Sequence, residues 1–178
     1  GNPRFCIRPY PKEWEKKKTL KNGRILNIRP IRPEDEQRYR VFLHKIKKED
    51  IYHRFFCHIQ SFSSAFIARM TQIDYARAMA FVALNEADEI VGTCRLSADP
   101  DYTKAEYAIL VRSDMKNQGM GWAMMHLVMD YARAEGIGGL WGEVLQDNKA
   151  MMTMCRELGF EIKQSVHDSA IAVVRHVL

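Results

Sequence analysis

Residues 106–123, E-Y-A-I-L-V-R-S-D-M-K-N-Q-G-M-G-W-A, do most to limit what this chain can fold into. A carboxylate, Glu106, opens an apolar run from Tyr107 to Val111. A polar segment follows, and Gly119-Met120-Gly121 leads into a second apolar pattern. An unbroken apolar run closed by turn-type residues suits a strand buried on both faces. Ala123, Met124, Leu127, Val128, Tyr131 and Ala132 then recur at helical spacing, with Gly136 as the expected C-cap. The stretch therefore reads as strand, polar loop and helix N-terminus. Such a junction leaves several backbone N–H groups unpaired at the positive end of the helix dipole, which makes it an anion site.

The glycines alone do not say which anion. A dinucleotide fingerprint would place a third glycine at 124, where Met124 stands, and a P-loop would need Gly-Lys-Ser/Thr, which is missing. Two glycines could equally serve close packing of helix on strand.

The remaining chain supplies the other layers. Residues 1–22 read as an N-terminal extension or linker, with Pro9-Tyr10-Pro11 and a charged stretch from Glu13 to Lys21, and residues 23–178 as one domain. Asn22-Gly23 turns into a strand at Arg24 to Arg29 that Pro30 ends or marks as an edge. Pro33-Glu34-Asp35-Glu36 starts a helix whose inward face is Tyr39, Phe42, Leu43 and Ile46. Short helices are expected at 49–56 and at 64–71, the latter capped by Ser63. Strands follow at 78–84 and 89–98, joined as a hairpin. After the opening strand and helix come a strand at 140–145, a helix at 148–158, and a final hairpin of 160–166 with 170–177. Helices first, then β-β-β-α-β-α-β-β, gives a mixed sheet with helices on its faces, α+β (α/β-like) in class.

Charge and cysteines narrow the setting. Residues 1–48 carry a net charge of +10 and residues 49–178 a net of −5. The basic half could face an anionic ligand, nucleic acid or an acidic neighbour. Apart from Trp14, Lys12–Lys21 has no interleaved aromatic residues, so no specific nucleic-acid surface is expected. Four scattered cysteines with no C-x-x-C pair argue against a disulfide framework or a zinc ribbon and fit a reducing, cytoplasmic compartment. His53, Cys57 and His58 lie close in sequence, but no second cluster completes a metal site, so no metal is expected. No apolar run approaches the roughly 20 residues a bilayer requires, and no membrane partner is expected.

A second segment gives the anion site a context. Asn148 begins N-K-A-M-M-T-M-C-R-E-L-G-F, in which Gly159-Phe160 closes a helix and opens a strand. Together the two segments resemble the GNAT superfamily of acyl-CoA-dependent N-acyltransferases. Gly119 and Gly121 match its Q/R-x-x-G-x-G/A loop, with Lys116 where that family usually has Gln or Arg. The resemblance covers residues 24–178 and implies a mostly antiparallel mixed sheet flanked by helices. It also implies acetyl-CoA as co-substrate, with the pyrophosphate on backbone N–H groups of Asn117, Gln118, Gly119, Met120, Gly121 and Trp122. Leu110, Val111 and Arg112 would pair with the pantetheine arm, and Asn148 would touch the cofactor. Lys116 would add its own N–H and a positive charge. A narrower likeness is to the C-terminal acetyltransferase domain of bacterial protein lysine acetyltransferases. It rests on Ile7-Arg8-Pro9-Tyr10-Pro11, Arg29-Pro30-Ile31-Arg32-Pro33-Glu34-Asp35, Arg54-Phe55-Phe56, Asp74-Tyr75 and 106–121. Many members of that group carry the domain behind a large acyl-CoA-synthetase-like region, so a chain starting at Gly1 is expected to be part of a longer one.

Chemistry then assigns roles. A lysine amine, with a pKa of ~10.4, arrives protonated, so a base must take its proton. Glu106, at the start of an apolar strand, is either a solvent-exposed strand end or a desolvated base; the resemblance makes it the base, with Glu143 as runner-up. A backbone N–H near Leu110–Val111 would hold the tetrahedral oxygen. The tyrosine that many members use as acid corresponds to Cys155 here, and a thiolate of pKa ~8.5 leaves without help. Cys155 has no neighbouring histidine in sequence, so direct transfer is expected rather than an acyl-cysteine. Arg54, Asp74 and Tyr75 are expected to border the acceptor cleft. The resemblance implies a protein substrate with a reactive lysine, such as AMP-forming acetyl-CoA synthetase. A small-molecule amine, or a non-catalytic acyl-CoA-sensing role, are the alternatives.

Overall fold

In the computed structural model, which describes residues 8–178, the elements run β1 (Lys16–Thr19), β2 (Ile25–Pro30), α1 (Glu36–His44), α2 (Lys48–Phe55), α3 (Ser64–Thr71), β3 (Ala78–Leu84), β4 (Ile90–Ala98), β5 (Ala105–Val111), α4 (Met120–Ala134), β6 (Gly139–Leu145), α5 (Lys149–Glu157), β7 (Glu161–Gln164) and β8 (Ile171–Val177). Cys6 and Ile7 lie outside the described residues. The strands form one sheet in the order β1-β2-β3-β4-β5-β6-β8-β7. Every neighbouring pair is antiparallel except β5–β6. This is the α+β fold with a mixed sheet that the element order implied, mostly antiparallel as the resemblance implied.

β3 shows why the sheet is buried on both sides. Its alternate residues Met79, Phe81 and Ala83 join one core, and Ala80, Val82 and Leu84 join the other. Successive side chains point to opposite faces of a strand, so an all-apolar run must be covered twice. α4 and α5 cover the first face with Met124, Val128, Tyr131 and Cys155. On the second face, α1 contributes Tyr39, Phe42 and Leu43, and α3 contributes Ile67. Ser63 caps α3 as expected, its Oγ accepting from Phe66 N–H at 3.1 Å.

The basic N-terminal segment takes part in this fabric. Lys16, Lys17 and Lys18 lie in β1, which pairs with β2 from Lys16–Ile28 to Thr19–Ile25. β2 is therefore not an edge, and Pro30 sits at its end against Phe81. Exposed lysines along an edge strand discourage pairing with other chains. Upstream, Trp14 packs edge-on against Tyr131 and Phe81, with ring centroids 5.1 and 6.0 Å away.

One ion pair has its carboxylate fully enclosed. Asp35, with no exposed surface, accepts from both Arg29 terminal nitrogens at 2.8 and 2.7 Å and from Arg32 N–H at 2.8 Å. It ties the end of β2 to the start of α1.

Candidate active site

β5 and β6 pair only at Ala105–Leu140 and Glu106–Trp141, and beyond that point they separate. The separation opens a cleft of about 810 Å³ whose walls come from β5, the loop into α4, α2 and the start of α5. Arg112 N–H donates to Val91 on β4. Because backbone groups alternate sides along a strand, Leu110 and Arg112 spend theirs on β4, while Ile109 and Val111 turn theirs to the open side. Of the expected Leu110, Val111 and Arg112, the first two line the cleft, and the backbone groups turned to its open side are those of Ile109 and Val111. Arg112 does not line the cleft; its guanidinium holds Asp114 at 2.7 Å.

At the far end of β5 the loop meets α4 as the glycine spacing implied. Asn117 and Gly119 both have positive φ, +64° and +82°. Such reversals turn neighbouring N–H groups to one side and form an anion-binding hollow. No side chain caps α4, so the N–H groups of Met120, Gly121 and Trp122 face the cleft unpaired by a cap. A Cβ built on Gly121 would meet nothing within 4 Å, so the space above it is open for a ligand group. These features fit a diphosphate. Asn117 and Gly119 also line the cleft, whereas Gln118 faces Asn22, whose Nδ2 donates to it at 3.3 Å.

Lys116 lines the cleft too, but its ammonium is already paired with buried Asp50 on α2, which also accepts from Ser113 Oγ at 2.7 Å. The expected extra positive charge is therefore largely cancelled, and Lys116 works as a clip between loop and helix. Lys21, in the β1–β2 turn, lines the same end of the cleft and is a cation that the sequence reading missed. Asn148 lines the cleft while its Oδ1 caps α5 by accepting from Met151 N–H at 3.3 Å.

At the β5–β6 junction, Glu106 and Glu143 both line the cleft. Glu106 is exposed along the cleft, yet burial of its carboxyl by surrounding protein, followed by repulsion from Glu143, raises its pKa above the ordinary glutamate value. Arg54 pulls the other way. Arg54 lines the cleft as expected, its guanidinium 4.5 Å from the Phe55 ring. Asp74 and Tyr75 do not line it: Tyr75 donates to Ile31 C=O at 2.8 Å, and Asp74 accepts from Ala76 N–H at 3.1 Å. Both residues belong to the turn before β3 instead of the acceptor end.

The cleft is also closed at one side, where His53 Nε2 meets Asp147 Oδ1 at 3.1 Å. Tyr107, on the opposite face of β5 from Glu106, places its hydroxyl 3.4 Å from Cys155 Sγ and 3.5 Å from Met151 Sδ. Burial pushes this phenol far above its ordinary pKa, so it keeps its proton. Cys155 is buried, and burial raises its thiol as well, which disfavours a thiolate nucleophile. The ring of Tyr107 fits only because residue 142 is glycine: a Cβ there would lie 2.6 Å from Cε1 and 3.1 Å from Cζ. Gly142→Ala is expected to destabilise the domain by about 1–3 kcal/mol through overpacking. Urea unfolding of the variant against the parent measures this.

The family model described as acetyltransferase (GNAT) family matches residues 40–160. "Acetyltransferase PA5475" of Pseudomonas aeruginosa is 32% identical over 163 residues, covering 90% of this chain and 88% of that protein. The GNAT domain of S. lividans PAT superposes with a TM-score of 0.88 at 26% identity, covering 96% of this chain and 100% of that one. The PaiA N-acetyltransferase of Thermoplasma acidophilum, solved in complex with coenzyme A, shares the fold with a TM-score of 0.70 at 12% identity, over 86% of this chain and 99% of that one.

Proposed function

Because this chain belongs to the acetyltransferase (GNAT) family, we propose that it moves an acetyl group from acetyl-CoA to a protein lysine, with Glu106 as general base. The observation that carries the reading is one cleft holding a raised-pKa carboxylate at the β5–β6 junction and an N–H hollow at the start of α4. The resemblance to protein lysine acetyltransferases and the likeness to S. lividans PAT favour a protein acceptor over a small amine. A lysine of a metabolic enzyme such as acetyl-CoA synthetase is the acceptor we test first.

Bound acetyl-CoA supplies an acetyl group activated as a thioester. The hollow from Asn117 to Trp122 and the cation of Lys21 hold its diphosphate end. Ile109 and Val111 offer free backbone groups along the open edge of β5. A donor among them, fixed by the β4–β5 ladder, would stabilise the charge that an acyl oxygen gains during transfer. Glu106 takes the proton from the amine nitrogen, and its raised pKa makes that transfer less uphill than for an ordinary glutamate. Buried Cys155 is left out of this route, so initial-rate lines at varied acetyl-CoA and acceptor are expected to intersect. Parallel lines, or a trapped acetyl-cysteine, would count against it.

The carboxylate sets the pH profile. Glu106 acts as base only when ionised, so kcat/KM rises with pH through a pKa above the usual 4.5. Glu143→Gln removes a negative neighbour and is expected to move this acid limb to lower pH. Mass-spectrometric detection of ε-acetyl-lysine on candidate synthetases, repeated across pH, tests both the acceptor and the base. A sensor would bind CoA and acetylate nothing.

A further inference from the structure

The acceptor end of the cleft holds two arginines that the mechanism above does not use. Arg54 comes from α2 and Arg95 from the middle of β4, and both line the cleft beside Glu106. Arg95 stands opposite Ala108 and Ala80 in the sheet register, and Ser97 stands opposite Glu106. Arg95 is therefore a diagonal neighbour of Glu106 on the same face, roughly 7–8 Å away between Cα atoms. The small alanines on both sides leave room for its long side chain.

Neither guanidinium forms an ion pair among the described residues. Arg95 donates one terminal nitrogen to Met70 C=O, while its Nε is buried with no hydrogen-bond partner. Arg54 makes no side-chain hydrogen bond among the described residues and rests on the Phe55 ring. Burial lowers the pKa of both groups; Tyr39 opposes it at each, and at Arg54 the like charge of Arg95 adds to it while Glu106 opposes it. An arginine stays charged in such places, so the fold carries two part-buried cations near each other with no carboxylate in ion-pair contact among the described residues, Glu106 acting on Arg54 only from a distance. That is costly unless something else brings the anion. A guanidinium fork matches a carboxylate better than any other group.

The charges of the cleft are thus separated by sign. Glu106 and Glu143 meet the side on which an amine arrives as a cation, and Arg54 and Arg95 lie just beyond. We infer that the acceptor carries a carboxylate next to its reacting amine, and that Arg54, backed by Arg95, binds that carboxylate. Resting on the lysine-acceptor reading above, this places an aspartate or glutamate immediately beside the modified lysine of the protein substrate. The same chemistry in a small molecule would be an amino acid, and the test separates the two.

The test uses the CoA-bound protein and lysine peptides matched except for Asp against Asn, or Glu against Gln, beside the lysine. A second pair consists of small amines, one bearing a carboxylate and the other its amide. Binding and acetylation are measured for each. The acid peptide is expected to bind, and to be acetylated, about tenfold or more better than its amide partner. That ratio is expected to fall towards one in Arg54→Gln and to shrink in Arg95→Met, in variants shown to be folded by retained CoA binding. Arg54→Lys, which keeps the charge but loses the fork, serves if Arg54→Gln does not fold. Equal binding of acid and amide partners in both pairs overturns the proposal, even if lysine acetylation itself proceeds. So does a ratio that survives both substitutions. An acid preference confined to the small amines upholds the carboxylate site and removes the protein-lysine reading.

Discussion

Glu106→Gln is expected to lower acetyl transfer by about 10²–10⁴-fold, the span a positioned general base contributes. The amide has the carboxylate's shape but cannot accept a proton from nitrogen at neutral pH. The acceptor would then have to lose its proton to water first, and with a lysine pKa of ~10.4 only a small fraction is free amine at pH 7. The deficit is therefore expected to narrow as pH rises towards that pKa. CoA affinity is expected to hold, because the diphosphate hollow lies at the other end of β5. Glu143 lines the same cleft and could relay a proton through water, so Glu106→Gln/Glu143→Gln is expected to fall below either single variant. A Glu106→Gln enzyme that keeps most of its rate across this pH range would remove Glu106 from the chemistry.

The largest effect on stability is expected at Asp35. Replacing it by alanine leaves Arg29, half-buried and aimed at it, without its partner, and frees Arg32 N–H. Breaking a buried pair from one side costs about 3–5 kcal/mol, a large share of the 5–15 kcal/mol that ordinarily holds a domain together. Chemical denaturation of Asp35→Ala checks the figure. The effect should also depend on pH with a definite sign. Burial alone would raise the Asp35 pKa, but the bonds from Arg29 and from Arg32 N–H outweigh it, and the net shift is downwards. A carboxyl with a lowered native pKa contributes fully above its unfolded value of 3.8 and loses that contribution as pH falls through the native value. The gap between parent and Asp35→Ala is therefore expected to be widest near neutrality and to close in acid. A gap independent of pH would mean that lost packing, not charge, sets the cost.

Much of the fold can be read from local pattern. α3 and β3 fall at the residues expected, and Tyr39, Phe42, Leu43 and Ile46 are all buried. These positions declare themselves because their periodicity reports which side faces a core. β1 does not, since an edge strand of three lysines has no apolar alternation, and its pairing is decided by β2. In the cleft, the glycines are visible at a helix start, Asn148 as the opening of a helical segment, and Glu106 as a charge at the head of an apolar strand. The choice of Ile109 over Leu110 was not visible, because side-chain pattern tells nothing of which edge a backbone N–H faces. Nor was the Lys116–Asp50 pair, whose members lie 66 residues apart. In the sequence Arg95 is one charged residue inside a strand, with no local pattern to mark it. Only the sheet register sets it beside Glu106 and Arg54.

Two register pairs are all that join β5 to β6, and so all the strand pairing between five strands on one side and three on the other. An extended molecule lying along Ile109 and Val111 would occupy the place of the missing rungs, and the sheet would then be continuous through its ligand. Mechanical cohesion across the middle of the domain is in that sense borrowed from the substrate. A ligand at a hundred times its dissociation constant adds about 2.7 kcal/mol to the folded state. Here that gain falls on a seam: amide protons of β6 and β8 that exchange when the seam parts should be slowed by CoA more than those of β3, which is laced on both sides.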